Sequence, residues 1–359
     1  MTREMVSSAV GELLADHCGR EVVATAERTG WAPELWEALA GGGFPWVSVA
    51  EDAGGVGGSV ADACAVLEQV GRYAAPVPMA ETGLLAGWLL ARAGLPLPEG
   101  RPVTTALGSV ALRAHGHAWR ADGVVSRVPW ASAAARIVLL ADSPEGPRVV
   151  SVDPEDARIE PGANLAGEPR ETVYLDDTVL DAADVAPAPD GVGTHALELR
   201  GALSRAALVA GAAGRILDIT VGYTNQRVQF GRPVARFQAV AAHLVRLAEL
   251  VEAAGMAARA AAMNAGEAEP DFVDVAAAKT VAAEAAGLIA AAAHQATGAM
   301  GMTSEYELGQ LTRRLWSWRE EYGGERAWSA RLGAELSSAG PDALWPTIAR
   351  GVSAVPRLP

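Results

Sequence analysis

The chain has 359 residues, room for two or three domains of ordinary size, and half of them are apolar, enough for a large core. Its 43 acidic residues against 29 basic ones leave a net charge of −14, with the arginines scattered among acids, which makes nucleic acid a poor partner. The charged start Met1-Thr2-Arg3-Glu4-Met5 lacks the apolar run of a secretory signal. No stretch of about twenty apolar residues is free of charge, Gly or Pro, so no membrane span and a cytoplasmic location are expected.

Residues 1–98 read as an amino-terminal helical domain broken by glycine. Pro33 suits the first turn of a helix that runs to Ala40. Val60 to Tyr73 forms another helix, after the loop Asp52-Ala53-Gly54-Gly55-Val56-Gly57-Gly58. Trp36 and Leu39, like Leu67 and Val70, have helical spacing that suits packing against one another. The glycine loop lacks the strand, helix and acidic partner of a dinucleotide-binding turn. Cys18 and Cys64 stand outside any C-x-x-C or Cys/His cluster, so each is expected to be a small buried hydrophobe and no metal site is expected.

Residues 99–190 change texture. Arg136-Ile137-Val138-Leu139-Leu140, Arg148-Val149-Val150-Ser151-Val152 and Thr172-Val173-Tyr174-Leu175 are β-rich runs between Pro, Gly and Asp clusters, the pattern of a small antiparallel barrel or sandwich. Ala186 to Gly193 is rich in Pro and Gly and reads as a linker.

Residues 191–340 return to helix. Phe237, Val240, Leu244, Leu247 and Val251 step by three and four along one apolar stripe, and Phe272 to Thr297 is a second, Ala-rich helix. Long antiparallel helices of this kind form a bundle. In the tail, 341–359, the stretch from Ala343 carries three prolines and reads as coil. Helices, a β unit and a bundle in that order make the fold class α+β, mainly α.

Two segments carry chemistry. The first is Tyr223-Thr224-Asn225-Gln226-Arg227-Val228-Gln229-Phe230-Gly231-Arg232-Pro233-Val234-Ala235-Arg236-Phe237-Gln238, read as a helix ending at Gly231, a Pro-containing turn and a new helix near Arg236. Arg227 at such a corner either meets a pyrophosphate bidentately or joins an ion pair within the bundle. The second is His294-Gln295-Ala296-Thr297-Gly298-Ala299-Met300-Gly301-Met302-Thr303-Ser304-Glu305-Tyr306, whose glycines permit close backbone approach, although Gly298 alone would also serve to end a helix. The first resembles the Y-x-x-x-R-x-x-F-G-x-x-(I/V)-x-x-(F/H)-Q signature of the acyl-CoA dehydrogenases, and the second their Q-x-x-G-G-x-G-(F/Y)-x-x-E-(Y/H) segment. The gap from Arg227 to Gln295 is the family's own. Leu35-Trp36 and Leu39, followed by Val47 to Gly55, resemble the family's amino-terminal entry less sharply.

The resemblance implies a helical amino-terminal domain, a β-barrel middle domain and a carboxy-terminal four-helix bundle. It implies FAD as cofactor, and an oxidoreductase of fatty acid or lipid metabolism that removes an α-proton and a β-hydride from an acyl thioester. Arg227, Gln229, Phe230 and Gln238 match positions that touch the flavin's adenosine and pyrophosphate, and Gln295, Gly298 and Ala299 match the second such segment. In the family both reach into a neighbouring subunit's site.

Positions that serve a subunit's own flavin depart from the family. The barrel signature is reduced to Thr105-Ala106-Leu107-Gly108-Ser109, and the later aromatic, Trp130, stands two places along. The catalytic glutamate falls on Tyr322, whose phenol, with a pKa of about 10, is a poor base at neutral pH. Glu320, Glu321 and Glu325 serve instead if the backbone shifts by a residue, or else form a solvated acidic face; the candidate catalytic pair is therefore Glu321 and Tyr322. The family's other base position falls near Gly201, where no carboxylate stands. Small residues there, Gly201, Ala202, Ala206 and Ala207, suggest room for a bulky acyl group.

These departures suggest a subunit of a homo- or hetero-oligomeric dehydrogenase that completes a partner's FAD site. Its expected partners are an acyl-CoA or acyl-carrier thioester and an electron-transfer flavoprotein. The alternatives are a catalytically inactive structural or regulatory homologue, and a family member turned to another reaction on a carrier-bound acyl group.

Overall fold

Strong helix formers dominate both ends of the chain and β-branched residues its middle, and the architecture mirrors that division. The computed structural model describes residues 3–266, 269–338 and 340–350. The first layer holds α1 (Arg3–His17), α2 (Arg20–Thr29), α3 (Pro33–Gly41) and α4 (Val60–Arg72), then a π-helix, Ala80–Gly87, that runs straight into α5 (Trp88–Ala93). Helix α4 starts at a capping box: Ser59 Oγ accepts from the Asp62 N–H while the Asp62 carboxylate accepts from the Ser59 N–H. Trp36, Leu39, Leu67 and Val70 meet in one core together with Cys18 and Cys64, both free thiols. Burial pushes each thiol up to about 12, so both stay protonated and unreactive.

The middle unit holds β1 (Val103–Thr104), β2 (Ser109–His115), β3 (Ala118–Pro129), β4 (Arg136–Ser143), β5 (Gly146–Val152), β6 (Arg158–Glu160), β7 (Arg170–Asp181) and β8 (Val185–Pro187). The sheet runs β6-β7-β3-β2-β4-β5-β8, with β1 beside β4. It is mixed rather than wholly antiparallel, because β4 lies parallel to both β1 and β2. Both faces of β4 are covered, which explains its unbroken apolar run: Ile137 and Leu139 face the sheet's own core, while Val138 and Leu140 pack with Leu85, Trp88 and Leu89 of the helical layer. Part of the expected linker is strand, since Val185–Pro187 pairs with Arg148–Val150.

The bundle consists of α6 (Thr194–Gln226), α7 (Gln238–Ala265), α8 (Phe272–Thr297) and α9 (Leu308–Trp318), with α10 (Glu325–Ser338) after them. Of the expected stripe on α7, Leu247 and Val251 are buried, whereas Phe237, Val240 and Leu244 are half-buried. The tail differs from the coil expected of it: α11 (Pro341–Arg350) continues past Ala343 with Pro346 inside, and 351–359 lie outside the described residues. By length and composition alone, Thr194–Gln226 and Phe272–Met302 are long and apolar enough to cross a membrane. In each, half or more of the most apolar window is buried inside the protein (50% and 61%), as in the core helices of a bundle.

Candidate functional site

The turn after α9, residues 319–324, sits where the base of the resembled family would stand, and four elements pin it. Lys279 on α8 donates from Nζ to the carbonyls of Trp318 (2.8 Å) and Arg319 (3.0 Å), capping α9 from the side. Burial, joined by the like charge of Arg205, pulls the Lys279 pKa down to about 7. On the far side, the Trp328 indole of α10 donates to the Tyr322 carbonyl at 2.8 Å. Tyr322 and Gly323 then turn through left-handed backbone, with φ of 56° and 91°. The phenol ring lies flat on α6, so closely that a methyl group added at Gly201 would run into it. The two positions at which the resemblance led one to expect a base, Tyr322 and Gly201, therefore meet in one contact, a ring upon a glycine. Gly201 leaves no acyl space, and Ala202, Ala206 and Ala207 are fully buried in core packing rather than lining a vacant pocket.

Glu321 is only 7% exposed, not part of a solvated acidic face. Arg170 of β7 donates to both of its oxygens, from Nε at 2.8 Å and Nη2 at 3.1 Å, and Arg205 of α6 donates from Nε at 2.7 Å. Burial alone would raise the Glu321 pKa, but the two guanidiniums outweigh it and hold the carboxyl well below the usual carboxylate range. Such a group neither accepts a proton readily nor turns toward a substrate without breaking its ion pairs to two buried cations. The neighbouring acids offer no substitute: Glu320 and Glu325 are directed to Arg319, with Glu320 Oε1 at 3.0 Å from Arg319 Nε. Tyr322 stays protonated, because burial raises its pKa above the ordinary phenol value.

The network extends through all three layers. Arg205 also donates to Glu81 in the π-helix. Arg170 reaches Glu168 at 3.1 Å, and Glu168 accepts from the Trp318 indole at 3.1 Å and pairs with Arg314. Arg314 continues to Glu27 of α2 at 2.9 Å. Sequence reading missed Arg170, Arg205, Arg314, Glu81, Glu168 and Lys279. The available signal was a lone charge in an apolar helical run, as at Arg205 between Ser204 and Ala206, because burial demands a partner.

A cleft of ≈ 210 Å³ opens beside this network between sheet and bundle, lined by Leu107, Ser126, Arg127, Pro129, Arg170 and Tyr322 among others. Trp130, the aromatic that stands two places along from the family's flavin-lining position, is 3% exposed, its indole donating to the Gly30 carbonyl at 3.0 Å and its ring lying against Arg170.

The second locus is the corner between α6 and α7. Helix α6 ends at Gln226, five residues before the expected Gly231. The chain then makes a small antiparallel hairpin, Val228–Gln229 against Arg232–Pro233, and α7 starts at Gln238. Phe230 and Gly231 form its tip with φ of 52° and 77°, the doubly left-handed geometry that suits a two-residue hairpin turn. Phe230 is 92% exposed, and Arg227, Gln229 and Gln238 are exposed as well. Arg227 makes no ion pair among the described residues, so the bundle-corner pairing weighed for it is not what holds it. Gly298 ends α8 at φ 60°, and Gln295 and Ala299 beside it face solvent. Because α6, α7 and α8 run up, down and up, these groups share one end of the bundle. Tyr306 ties that end together, its hydroxyl donating to the Ile219 carbonyl at 2.7 Å and its ring 5.7 Å from that of Tyr223.

The carboxy-terminal domain model of the acyl-CoA dehydrogenases matches residues 197–327, and the amino-terminal domain model residues 1–96. Acyl-CoA dehydrogenase IpdE2 of Mycobacterium tuberculosis is 30% identical over 314 residues, 85% of this chain and 88% of that protein. The chain belongs to the acyl-CoA dehydrogenase family. Among solved structures, the ChsE4–ChsE5 complex from Mycobacterium tuberculosis superposes at a TM-score of 0.82 with 26% identity, covering 93% of this chain and 97% of that one. A variant of the Tcur3481–Tcur3483 steroid ACAD gives 0.83 with 25% identity, covering 94% and 98%.

FAD is this acyl-CoA dehydrogenase family's cofactor, and the two loci differ in how they suit it. The cleft does not fit a flavin. Its volume of ≈ 210 Å³ falls below the roughly 300–1,000 Å³ of sites that enclose a drug-sized ligand. The neighbouring Trp130 is committed to Gly30, and the cleft's wall is a closed ion network. The corner does fit the phosphate and adenosine half of a dinucleotide, because it presents a guanidinium unpaired among the described residues, amide side chains and an exposed ring.

Proposed function

We propose that this chain is one subunit of a heteromeric FAD-dependent acyl-CoA dehydrogenase, which desaturates an acyl thioester between its α and β carbons on the partner's flavin. The observation that carries the reading is the contrast at α6. No free carboxylate faces the chain's own cleft, while Arg227 stands exposed and unpaired among the described residues at the helix end.

When bound in the partner, FAD supplies the hydride acceptor. This chain's part is to bind and orient. Arg227 would hold the pyrophosphate, Gln229, Phe230 and Gln238 the adenosine, and Gln295, Gly298 and Ala299 would close the same half from the end of α8. The α-proton is taken by a base of the partner, since Glu321 is spent on Arg170 and Arg205. Likeness to two-protein complexes, ChsE4–ChsE5 and Tcur3481–Tcur3483, supports the subunit reading. The latter is named a steroid ACAD, which makes a steroid-derived acyl-CoA the first substrate to try. An electron-transfer flavoprotein is the expected electron acceptor, and the assembly is expected in the cytoplasm.

The test is flavin stoichiometry. The chain purified alone should be colourless, and with its dehydrogenase partner it should carry one FAD per pair of chains that bleaches with substrate. Arg227→Ala should loosen that FAD by about ten- to a hundredfold, as expected for loss of a charge-assisted contact of roughly 1.5–3 kcal/mol. A yellow, active homomer with one FAD per chain would sink the reading.

A further inference from the structure

Three of the six described non-glycine residues with left-handed backbone lie at or beside the cleft. Arg127 and Tyr322 line it, and Trp130 packs on Arg170, which also lines it; all three adopt left-handed φ, at 60°, 56° and 47°. Such conformations persist where the surroundings impose them and concentrate at ligand clamps. Tyr322 and Trp130 are accounted for by the packing described above, but Arg127 is not. Its side chain is exposed and makes no hydrogen bond or ion pair among the described residues.

The strand explains where that side chain goes. Val125 pairs with Val173 but Val128 pairs with Glu171, so β3 carries one residue more than β7 across this step. This bulge lifts Ser126 and Arg127 out of the ladder and re-aims them at the cleft, a use that bulges have beside binding sites. The remaining charges are already matched: Arg170 and Arg205 by Glu321, and Glu320 by Arg319. Among the described residues, Arg127 is therefore the cleft's unpaired cation. Apolar walls of Ala106, Leu107 and Pro129 lie below it, and the Tyr322 phenol forms a further wall.

We infer that this cleft binds a compact carboxylic acid, its carboxylate on Arg127 and Ser126 and its hydrocarbon body against Leu107 and Pro129. A forked guanidinium suits carboxylate and phosphate alike. The apolar walls and the nearby carboxylates of Glu320 and Glu321 favour a monoanion with a hydrocarbon body over inorganic phosphate. This site is separate from the corner offered to the partner's flavin and has no part in the dehydrogenation itself.

The test is calorimetric titration of the full chain, alone and with its partner, using hexanoate, hexylamine and inorganic phosphate. Hexanoate should bind at one site per chain and the other two should not. Arg127→Gly should weaken hexanoate by about tenfold or more, the loss expected for a charge-assisted contact, while leaving the melting temperature unchanged or higher, because glycine adopts φ near 60° without strain. Leu107→Trp, which fills the cleft, should abolish binding, and Arg127→Gln should act as Arg127→Gly does. Hexanoate affinity unchanged by either Arg127 substitution, phosphate binding equal to hexanoate, or no hexanoate binding to the wild-type chain each overturns the assignment. Flavin content, read by absorbance in the same samples, reports on the subunit reading separately.

Discussion

Helix α6 supplies both the middle of the cleft and the corner at its end, and the two regions use charge in opposite ways. In the middle, Arg205 is buried and satisfied by Glu81 and Glu321, and Gly201 carries a phenol ring. At the end, Arg227 is exposed, unpaired among the described residues, and held on a structured turn. A buried ion must be paired to be tolerated, so its chemistry is spent on the fold; a surface ion fixed in position keeps its donors for a ligand. In this chain the inward locus is a joint between layers, and the outward locus leaves its polar groups exposed to solvent.

That contrast is easiest to break at the joint. Glu321→Gln removes the carboxylate that Arg170 and Arg205 share, leaving Glu168 and Glu81 as their remaining counter-charges, and unfolding by urea should show a loss of up to about 3–5 kcal/mol with flavin content of the complex unchanged. A loss below about 0.5 kcal/mol would mean that Glu321 is not structural and would reopen it as a base. Next in size is Gly201→Ala, which forces the Tyr322 ring to move and should cost about 1–3 kcal/mol. Combined with Tyr322→Ala the penalty should largely vanish, and simple additivity of the two changes would refute the contact.

Smaller effects are readable in pH. The Glu321 pKa is depressed in the fold, and its unfolded value is about 4.3. The stability it contributes is thus complete above about pH 5 and declines as pH falls further, toward the folded pKa. A stability profile from pH 7 to 3 should lose that acid slope in Glu321→Gln. Lys279 has the opposite sign. Its pKa is pulled down to about 7 in the fold against about 10.4 unfolded, so stability should rise gently between pH 7 and 10 as the unfolded chain holds the extra proton. Lys279→Met should flatten that rise, and an unchanged profile would show that Lys279 does not titrate there.

Much of the molecule was legible in its residues. Ala-rich periodicity located α8 to the residue, and β-branched runs located β4, β5 and β7, because local propensity and burial agree in those stretches. Elsewhere a longer-range contact or an unusual backbone decided. The segment after Gln226 forms a hairpin because Phe230 and Gly231 accept left-handed backbone, which helical spacing does not reveal. Antiparallel pairing was the natural inference for short strands, yet β4 runs parallel to β1 and β2 through connections that no local pattern encodes.

By itself, the sequence determined the family, the helix–sheet–bundle order and the groups offered at Arg227 and Gln295, since each rests on residue type and spacing along the chain. Its resemblance to the family also led to the expectation that Tyr322 stands where a carboxylate would. Only the tertiary structure decided what Glu321 does. Its partners Arg170 and Arg205 lie 151 and 116 residues away along the chain, and no rule of spacing brings three such charges to one point. Burial does, because a charge taken from water must find its counter-charge wherever the fold can deliver it.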